Sequence, residues 1–306
     1  MIAQAFIDSG HKICTVLKFL DLSRSTWYYE SRQGNKKRGV CKSEKTLRID
    51  GTWVMNEEVV EDIQEILGKE FVDYGYIKVL HWLKKKKGYL INKKKVYRLM
   101  KEAGLLNRDK KRASAVSKKE WVKELVPQPS KALEYWEMDI KYIHIQGQGR
   151  NAFLLSIVDV ESRWMLGHKL SWTMKQEEVI DLINQVFENY SLPERIYIRN
   201  DNGTQFASEV VKQYLVQKGV HQEFTKPATP QQNAHIESYH SILERVICTQ
   251  YEFEKIFEGR KTLDRFVQFY NMERIHSGID YQSPYEYLLS KNIDVMSMPI
   301  HKPIAA

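Results

Sequence analysis

Cysteine is scarce and scattered. Cys14, Cys41 and Cys248 are odd in number and far apart, so they form neither a disulfide framework nor a zinc-ligand spacing. A reducing compartment suits such a chain. Long apolar runs are missing too: none approaches the ~20 residues that a bilayer span requires. The first residues lack the apolar core and small-residue cleavage site of a secretory signal. Internal repeats are absent. These absences predict a cytoplasmic protein with no membrane partner. What remains is 306 residues, 42% hydrophobic and 28% charged, an ordinary globular composition with room for two domains.

The net charge of +8 is unevenly spread. Residues 1–130 carry 28 basic and 16 acidic side chains, a balance of +12, whereas residues 131–306 carry 19 and 23, a balance of −4. A basic front joined to a mildly acidic back suggests a polyanion-binding module attached to a part with other work to do.

Within the front, HKICTVLKFLDLSRSTWYY (His11–Tyr29) reads as two short helices around a break. Ile13, Val16, Leu17 and Leu20 form the stripe of the first, and Asp21 or Ser23 can cap the second. A polar stretch follows. Then YGYIKVLHWLKKKKGYLINKKKVYRLMKEAGLL (Tyr74–Leu106) predicts a second helix-turn-helix. Gly88 ends one helix, Asn92 caps the next, Val96, Leu99, Met100 and Ala103 face inward, and Gly104 closes it. Lys84, Lys85, Lys86, Lys87, Lys93, Lys94, Lys95, Arg98 and Lys101 place nine positive charges within 18 residues. Such clustering favours DNA phosphates over a merely solvated face, and Arg98 is the candidate for reading a base.

After a basic, proline-ended stretch the texture changes. EYWEMDIKYIHIQ, NAFLLSIVDV and RWMLGHKLSW are successive strand-like runs, an antiparallel meander by spacing. A helix, the strand RIYIRN, another helix, the short strand VHQEFT and a long helix AHIESYHSILERVICTQYE follow. Strands alternating with helices in this way predict an α/β mixed sheet sandwiched by helices.

Three acids stand out on that framework. Asp139 lies in the first strand, Asp201 follows the fourth, and Glu237 falls in the first turn of the long helix. If the first and fourth strands are neighbours, the two aspartates project from one end of the sheet. Clustered like charges are costly without a cation between them, so three carboxylates suggest a site for Mg²⁺ or Mn²⁺. The setting of Asp201 in RNDNGTQF also admits a plain turn, because Asn, Asp and Gly tolerate left-handed backbone angles.

The order Asp139, Asp201, then Glu237 after 35 intervening residues resembles the retroviral-integrase superfamily of DDE transposases. The segments WEMD, RNDNGTQF, TPQQNAHIESYHSILE and YNMERIHSGIDYQSPYEYL are similar to the second-frame (OrfB) transposase of bacterial two-frame insertion sequences. The similarity reaches back through the Tyr74–Leu106 block and covers roughly residues 10–290. It implies an RNase H-like catalytic core with a mixed five-stranded sheet flanked by helices, preceded by an all-α helix-turn-helix DNA-binding region. The implied divisions are a helix-turn-helix-like segment at 1–35, the basic DNA-binding domain at 55–108, a linker at 109–130, the core at 131–290 and a tail at 291–306.

The resemblance makes Asp139, Asp201 and Glu237 the metal triad, holding two Mg²⁺ or Mn²⁺ ions. Its implied substrates are double-stranded terminal inverted repeats and target DNA. Asn202, Gly203, Gln205, Asn233, His240, Arg274 and His276 become candidate substrate contacts. For His240 and His276 packing or capping is an equal alternative; Gln205 and Phe206 either touch DNA or pack under the turn, and Asn233 is expected to place the Glu237 helix. Asp159 and Glu244 match no triad position. Many relatives carry a basic residue seven positions after the catalytic glutamate, where this chain has Glu244. The upstream module encoded by the first frame is not in the sequence, so a fusion or a partner protein is expected, as is a homo-oligomer on DNA. The alternatives are a metal-dependent nuclease on the same fold and a domesticated DNA-binding repressor.

Overall fold

The computed structural model describes residues 2–28, 43–106, 129, 131–226 and 230–295. Apart from residue 129, the linker expected at 109–130 lies outside these, as do residues 296–306 of the expected tail and residues 29–35 of the first segment.

The chain divides after Glu44 into two units. The first contains α1 (Ile2–Asp8), α2 (Ile13–Phe19) and α3 (Arg24–Trp27). Val16 and Leu17 are buried, and of the two expected caps Ser23 is used: its Oγ accepts the Thr26 amide at 3.0 Å.

The second unit begins with a hairpin, β1 (Lys45–Arg48) and β2 (Trp53–Met55). Its turn is an Asp-Gly pair, with Gly51 at φ 85° and Asp50 Oδ1 accepting the Thr52 amide at 2.9 Å. Helix α4 (Asn56–Leu67) follows, then α5 (Tyr76–Lys87), β3 (Tyr89–Leu90) and α6 (Lys93–Glu102). The front region is therefore not all-α: β3 adds to the hairpin to give a three-stranded sheet in the order β2-β1-β3. Physically, the Asp-Gly turn closes a hairpin too short to show strand periodicity, and Tyr89 turns inward from β3 with no exposure. The helix ends match the reading of their residues. Gly88 terminates α5 in the left-handed conformation at φ 68°, and Asn92 Oδ1 caps α6 by accepting the Lys95 amide at 3.0 Å. Val59, Ile63, Val79, Leu83, Val96 and Met100 are wholly buried between the helices; cutting one of the larger of these to alanine would cost roughly 2–5 kcal/mol.

The α4–α5 connection ties this module to the rest of its unit. Phe71, at φ 65°, inserts between Phe266 (5.5 Å between ring centroids) and Phe269 (6.0 Å). Asp73 pairs with Arg274 at 2.6 Å and Arg245 at 2.9 Å, and the Tyr74 hydroxyl accepts the Ile275 amide at 3.0 Å.

The remainder is a five-stranded mixed sheet. Its elements are β4 (Tyr135–Ile145), β5 (Arg150–Asp159), β6 (Met165–Ser171), α7 (Gln176–Asn189), β7 (Ile196–Asn200), α8 (Thr204–Ala207), α9 (Glu209–Gln217) and β8 (Val220–Phe224). Then come α10 (Ala234–Leu243), a π-helical turn over Glu244–Cys248, α11 (Ile256–Met272) and α12 (Pro284–Ser290). Strand order is β6-β5-β4-β7-β8, with the expected meander β4-β5-β6 antiparallel and β7 and β8 added parallel. Strand periodicity sorts the central strand. Trp136, Met138 and Ile140 face the core shared with α7 and α9, whereas Ile143 and Ile145 face the core shared with α10 and α11. Glu137, Asp139 and Lys141 have the parity of the second set. Asn271 pins α11 to the sheet, accepting the Met165 amide at 2.8 Å and donating to its carbonyl at 3.0 Å.

Candidate active site

The register of the two central parallel strands organises the site. Tyr135, Trp136 and Glu137 of β4 pair with Tyr197, Ile198 and Arg199 of β7. The ladder stops there: Asp139 lies two residues further along β4, and Asp201 two residues past Arg199, just beyond the end of β7. Asp139 is half-buried, and Asp201 is exposed where β7 ends. Asp201 Oδ1 accepts the Gly203 amide at 2.9 Å, and Asn202 donates to the Thr225 carbonyl at 2.9 Å. None of residues 200–203 adopts a positive φ. Glycine at 203 therefore serves no left-handed turn; a Cβ there would meet the movable Gln205 amide and sit 3.0 Å from Asp201 Oδ1.

Helix α10 lies across the same strand and meets it step by step. Glu137 contacts its first turn. His240 Nδ1 lies 3.4 Å from Asp139 Oδ2, and Lys141 pairs with Glu244 at 2.8 Å. Glu237 is exposed on this helix. Partial desolvation, and then the negative charges of Asp139 and Glu137, push its carboxyl above the ordinary value, with His240 opposing. Asp139 and Glu237 thus repel one another across the strand–helix seam. Among the described residues, no three carboxylate, imidazole or thiol groups stand close enough together to enclose an ion with the side chains as placed.

Integrase core domain models match residues 129–230 and 218–284, together just over half of the chain, and an HTH-like domain model matches residues 55–113. The chain is 26% identical over 248 residues to the transposase of insertion sequence IS904 from Lactococcus lactis, covering 76% of this chain and 94% of that one. It is 24% identical over 270 residues to a 31.7 kDa protein of insertion element IS407 from Burkholderia multivorans, covering 88% of each. Transposase InsD of the Escherichia coli IS2 elements is 25% identical over 304 residues, covering 96% of this chain and 97% of that protein. The chain belongs to the integrase core domain family, and it is similar to transposases of insertion sequences.

Elsewhere in the chain, the residues singled out above fall into distinct surroundings. Phe206 packs under the Asp201 turn with no exposure, while Gln205 stays half-exposed beside it. Asp159 is fully buried and holds a turn: it accepts the Leu133 amide (3.0 Å) and both the amide (2.7 Å) and hydroxyl (2.5 Å) of Ser162. Burial pushes its carboxyl up to about 7 despite those bonds. Arg274 is 1% exposed and His276 packs edge-on to Tyr270 at 4.8 Å, both at the seam with the front module. Burial, then Lys78, Arg274 and Arg163, hold His276 well below its ordinary value.

Asn233 occupies the N-cap of α10 but makes no side-chain cap, and its Oδ1 is buried without a partner among the described residues. Glu137 takes that task. Strand parity puts Glu137 on the face of Asp139, two residues before it in WEMD, but gives no sign of its partners about a hundred residues on.

The basic cluster is only partly available. Lys85 and Lys86 pair with Glu286 (2.7 and 3.1 Å), Lys87 pairs with Asp62 and Glu65 (2.8 Å each), and Lys95 donates to the Lys45 carbonyl at 2.6 Å. Lys84, Lys93, Lys94 and Lys101 have no ion-pair partner among the described residues. No described helix is long and apolar enough to cross a membrane.

Proposed function

We propose that this transposase cleaves DNA at the ends of an insertion element and joins the freed ends to target DNA, in a reaction that depends on divalent metal held by Asp139, Asp201 and Glu237. The observation that supports the reading is that neighbouring strands β4 and β7 carry Asp139 and lead into Asp201, while α10 carries Glu237 close enough to Asp139 for their charges to interact. The donor set suits the ions. All three groups offer hard carboxylate oxygens, and the Asp139 charge that, after desolvation, helps to raise the Glu237 carboxyl is one a cation between them would offset. When bound, two such ions supply Lewis-acid stabilisation to the attacking and leaving oxygens of an in-line displacement.

The chain's own residues bind and orient. No protein nucleophile is needed: water breaks the P–O3′ bond at the element end, and the released 3′-hydroxyl then attacks a target phosphorus and breaks the P–O3′ bond there. Asn202 and Gln205 flank the open side of the site, while Lys84, Lys93, Lys94 and Lys101 are free to meet phosphates and hold the duplex. A homo-oligomer on paired ends, with a first-frame partner or fusion, belongs to the same reading.

The test is joining of oligonucleotides bearing the element's ends into supercoiled target DNA. Asp139→Asn, Asp201→Asn and Glu237→Gln are each expected to lose at least about a thousandfold in rate, or ~4 kcal/mol of transition-state stabilisation, with DNA binding retained. Any one of them keeping more than a tenth of wild-type joining would overturn the site. Cutting without joining by the wild type would replace strand transfer with a nuclease.

A further inference from the structure

Glu137 is a carboxylate with no exposed surface, on the central strand of the sheet. Burying such a group costs several kcal/mol unless hydrogen bonds answer it. All three of its answering bonds come from the first turn of α10. Oε2 accepts the amides of His235 (2.9 Å) and Ile236 (2.8 Å), and Oε1 accepts His235 Nδ1–H at 2.8 Å. A helix N-terminus leaves its first amides without intrahelical partners. Here the residue at the cap position, Asn233, does not satisfy them. A side chain from a strand some hundred residues earlier does so instead, with its negative charge at the positive end of the helix dipole.

The consequence is positional. Glu137 is two residues before Asp139 on one strand face, and its partners His235 and Ile236 immediately precede Glu237. One buried side chain thus joins the strand that carries one acid to the helix that carries another. We propose that Glu137 is a positioning residue for strand transfer: it clamps α10 to β4, sets the separation of Glu237 from Asp139, and is not itself a ligand or a base. The clamp is a property of the fold, and its effect on activity rests on the function proposed above.

The two roles separate on substitution. Glu137→Gln removes the charge but can keep all three bonds: the amide oxygen takes the backbone N–H groups, and the NH₂ donates to His235 Nδ1 once the ring proton moves to Nε2. Glu137→Asp keeps the charge and falls short by one methylene. Glu137→Ala removes everything. In the full-length protein, joining by Glu137→Gln is expected to stay within about fivefold of wild type, whereas Glu137→Ala falls by about a hundredfold, the scale of an ångström-sized misplacement. The Mn²⁺ concentration for half-maximal activity should rise several-fold in Glu137→Ala only. Amide hydrogen exchange at His235 and Ile236 should speed up at least tenfold in Glu137→Ala and stay unchanged in Glu137→Gln.

Should Glu137→Ala fail to fold, Glu137→Asp carries the test, with the same loss expected. A Glu137→Gln protein as inactive as Glu237→Gln would make Glu137 a charged catalytic group and overturn the proposal. So would unchanged exchange at His235 and Ile236 in both Glu137→Ala and Glu137→Asp. Because exchange is read without any DNA reaction, a wild type inactive in joining would count against the proposed function while the clamp is still decided.

Discussion

The acids around the catalytic sheet and the lysines of α5 and α6 are sorted by the same rule but on different scales. In the sheet, Glu137 and Asp159 are answered by hydrogen bonds, Glu244 by Lys141 and Glu223 by Arg199 at 2.8 Å. Asp139, Asp201 and Glu237 are left without any Lys or Arg partner among the described residues. In the basic cluster, Lys85, Lys86, Lys87 and Lys95 are committed to the fold, and Lys84, Lys93, Lys94 and Lys101 are not. Charge that the fold leaves unanswered is what a substrate or ion can use. The sheet sorts its acids by strand register and burial, over a few ångströms. The basic module sorts its lysines through side chains as remote in sequence as Glu286, held by a capping box at the start of α12.

The largest expected effect tests the sorting of acids within one helix. Glu237→Gln should abolish joining by about a thousandfold. Glu244→Gln, seven residues on and facing the same strand, should change it less than tenfold. Equal losses in a metal-dependent joining assay would show that Glu244 belongs to the site and that its pairing with Lys141 is incidental.

The seam between the two regions comes next. Asp73 answers buried Arg274 and also holds Arg245, at the far end of the segment that Glu137 clamps. Asp73→Ala strands a buried guanidinium, and such breaks cost about 3–5 kcal/mol. Denaturant unfolding should show a loss of that order. A loss under about 1 kcal/mol, the value of an exposed pair, would mean that the two regions are only loosely joined.

Much of this was legible because it is local. Gly88, Asn92 and Gly104 mark helix ends through their own backbone and side-chain chemistry, and the meander shows in strand periodicity. That Asp139 and Asp201 share one end of the sheet was conditional on the first and fourth strands being neighbours, which the order β5-β4-β7 supplies. The small β1–β2–β3 sheet was obscured because its strands are two to four residues long, although the Asp50-Gly51 turn advertised it. What stayed hidden was long-range. No periodicity tells that Asn233 leaves its helix uncapped, that Glu137 reaches across from the sheet, or that Glu286 claims Lys85 and Lys86. Arg274 read as a substrate contact because a cation just past a helix end looks the same in sequence whether it faces solvent or a half-buried aspartate.

Sorting of the lysines is tested by salt. With four free charges on phosphates, log affinity for duplex DNA should fall against log salt with a slope of about −3.6. Replacing Lys84, Lys93, Lys94 and Lys101 together by Gln in the full chain should flatten the slope by about 3.6 and weaken all sequences alike, since phosphate contacts carry no base information. Replacing Lys85, Lys86 and Lys87 should change it by less than about 1. If the second set proves the stronger, their pairs with Glu286, Asp62 and Glu65 open on DNA, and the division among the lysines fails.

The smallest effect concerns Lys78, a cation that the fold answers poorly. Burial first, and then Arg274 and Arg245, lower its ammonium to about 7, with Asp73 opposing. Burial holds Tyr74 up at about 12, and burial, Lys78, Arg274 and Arg163 hold His276 well below its ordinary value. Between about 7 and the ordinary lysine value the unfolded chain binds the proton and the native protein does not, so this group makes stability rise with pH. Below that window Lys78 is charged in both states, and the desolvation cost is present in full. Lys78→Met, which keeps the apolar contacts of the stem, should therefore melt higher than wild type at pH 7. That advantage should shrink as the pH is raised to 10. Melting curves at four pH values across the window measure it. Parallel Tm profiles for the two proteins would show that Lys78 keeps its proton throughout, and a variant that melts lower at pH 7 would show that the ammonium is answered after all, by Asp73 and the Tyr74 ring 5.1 Å away.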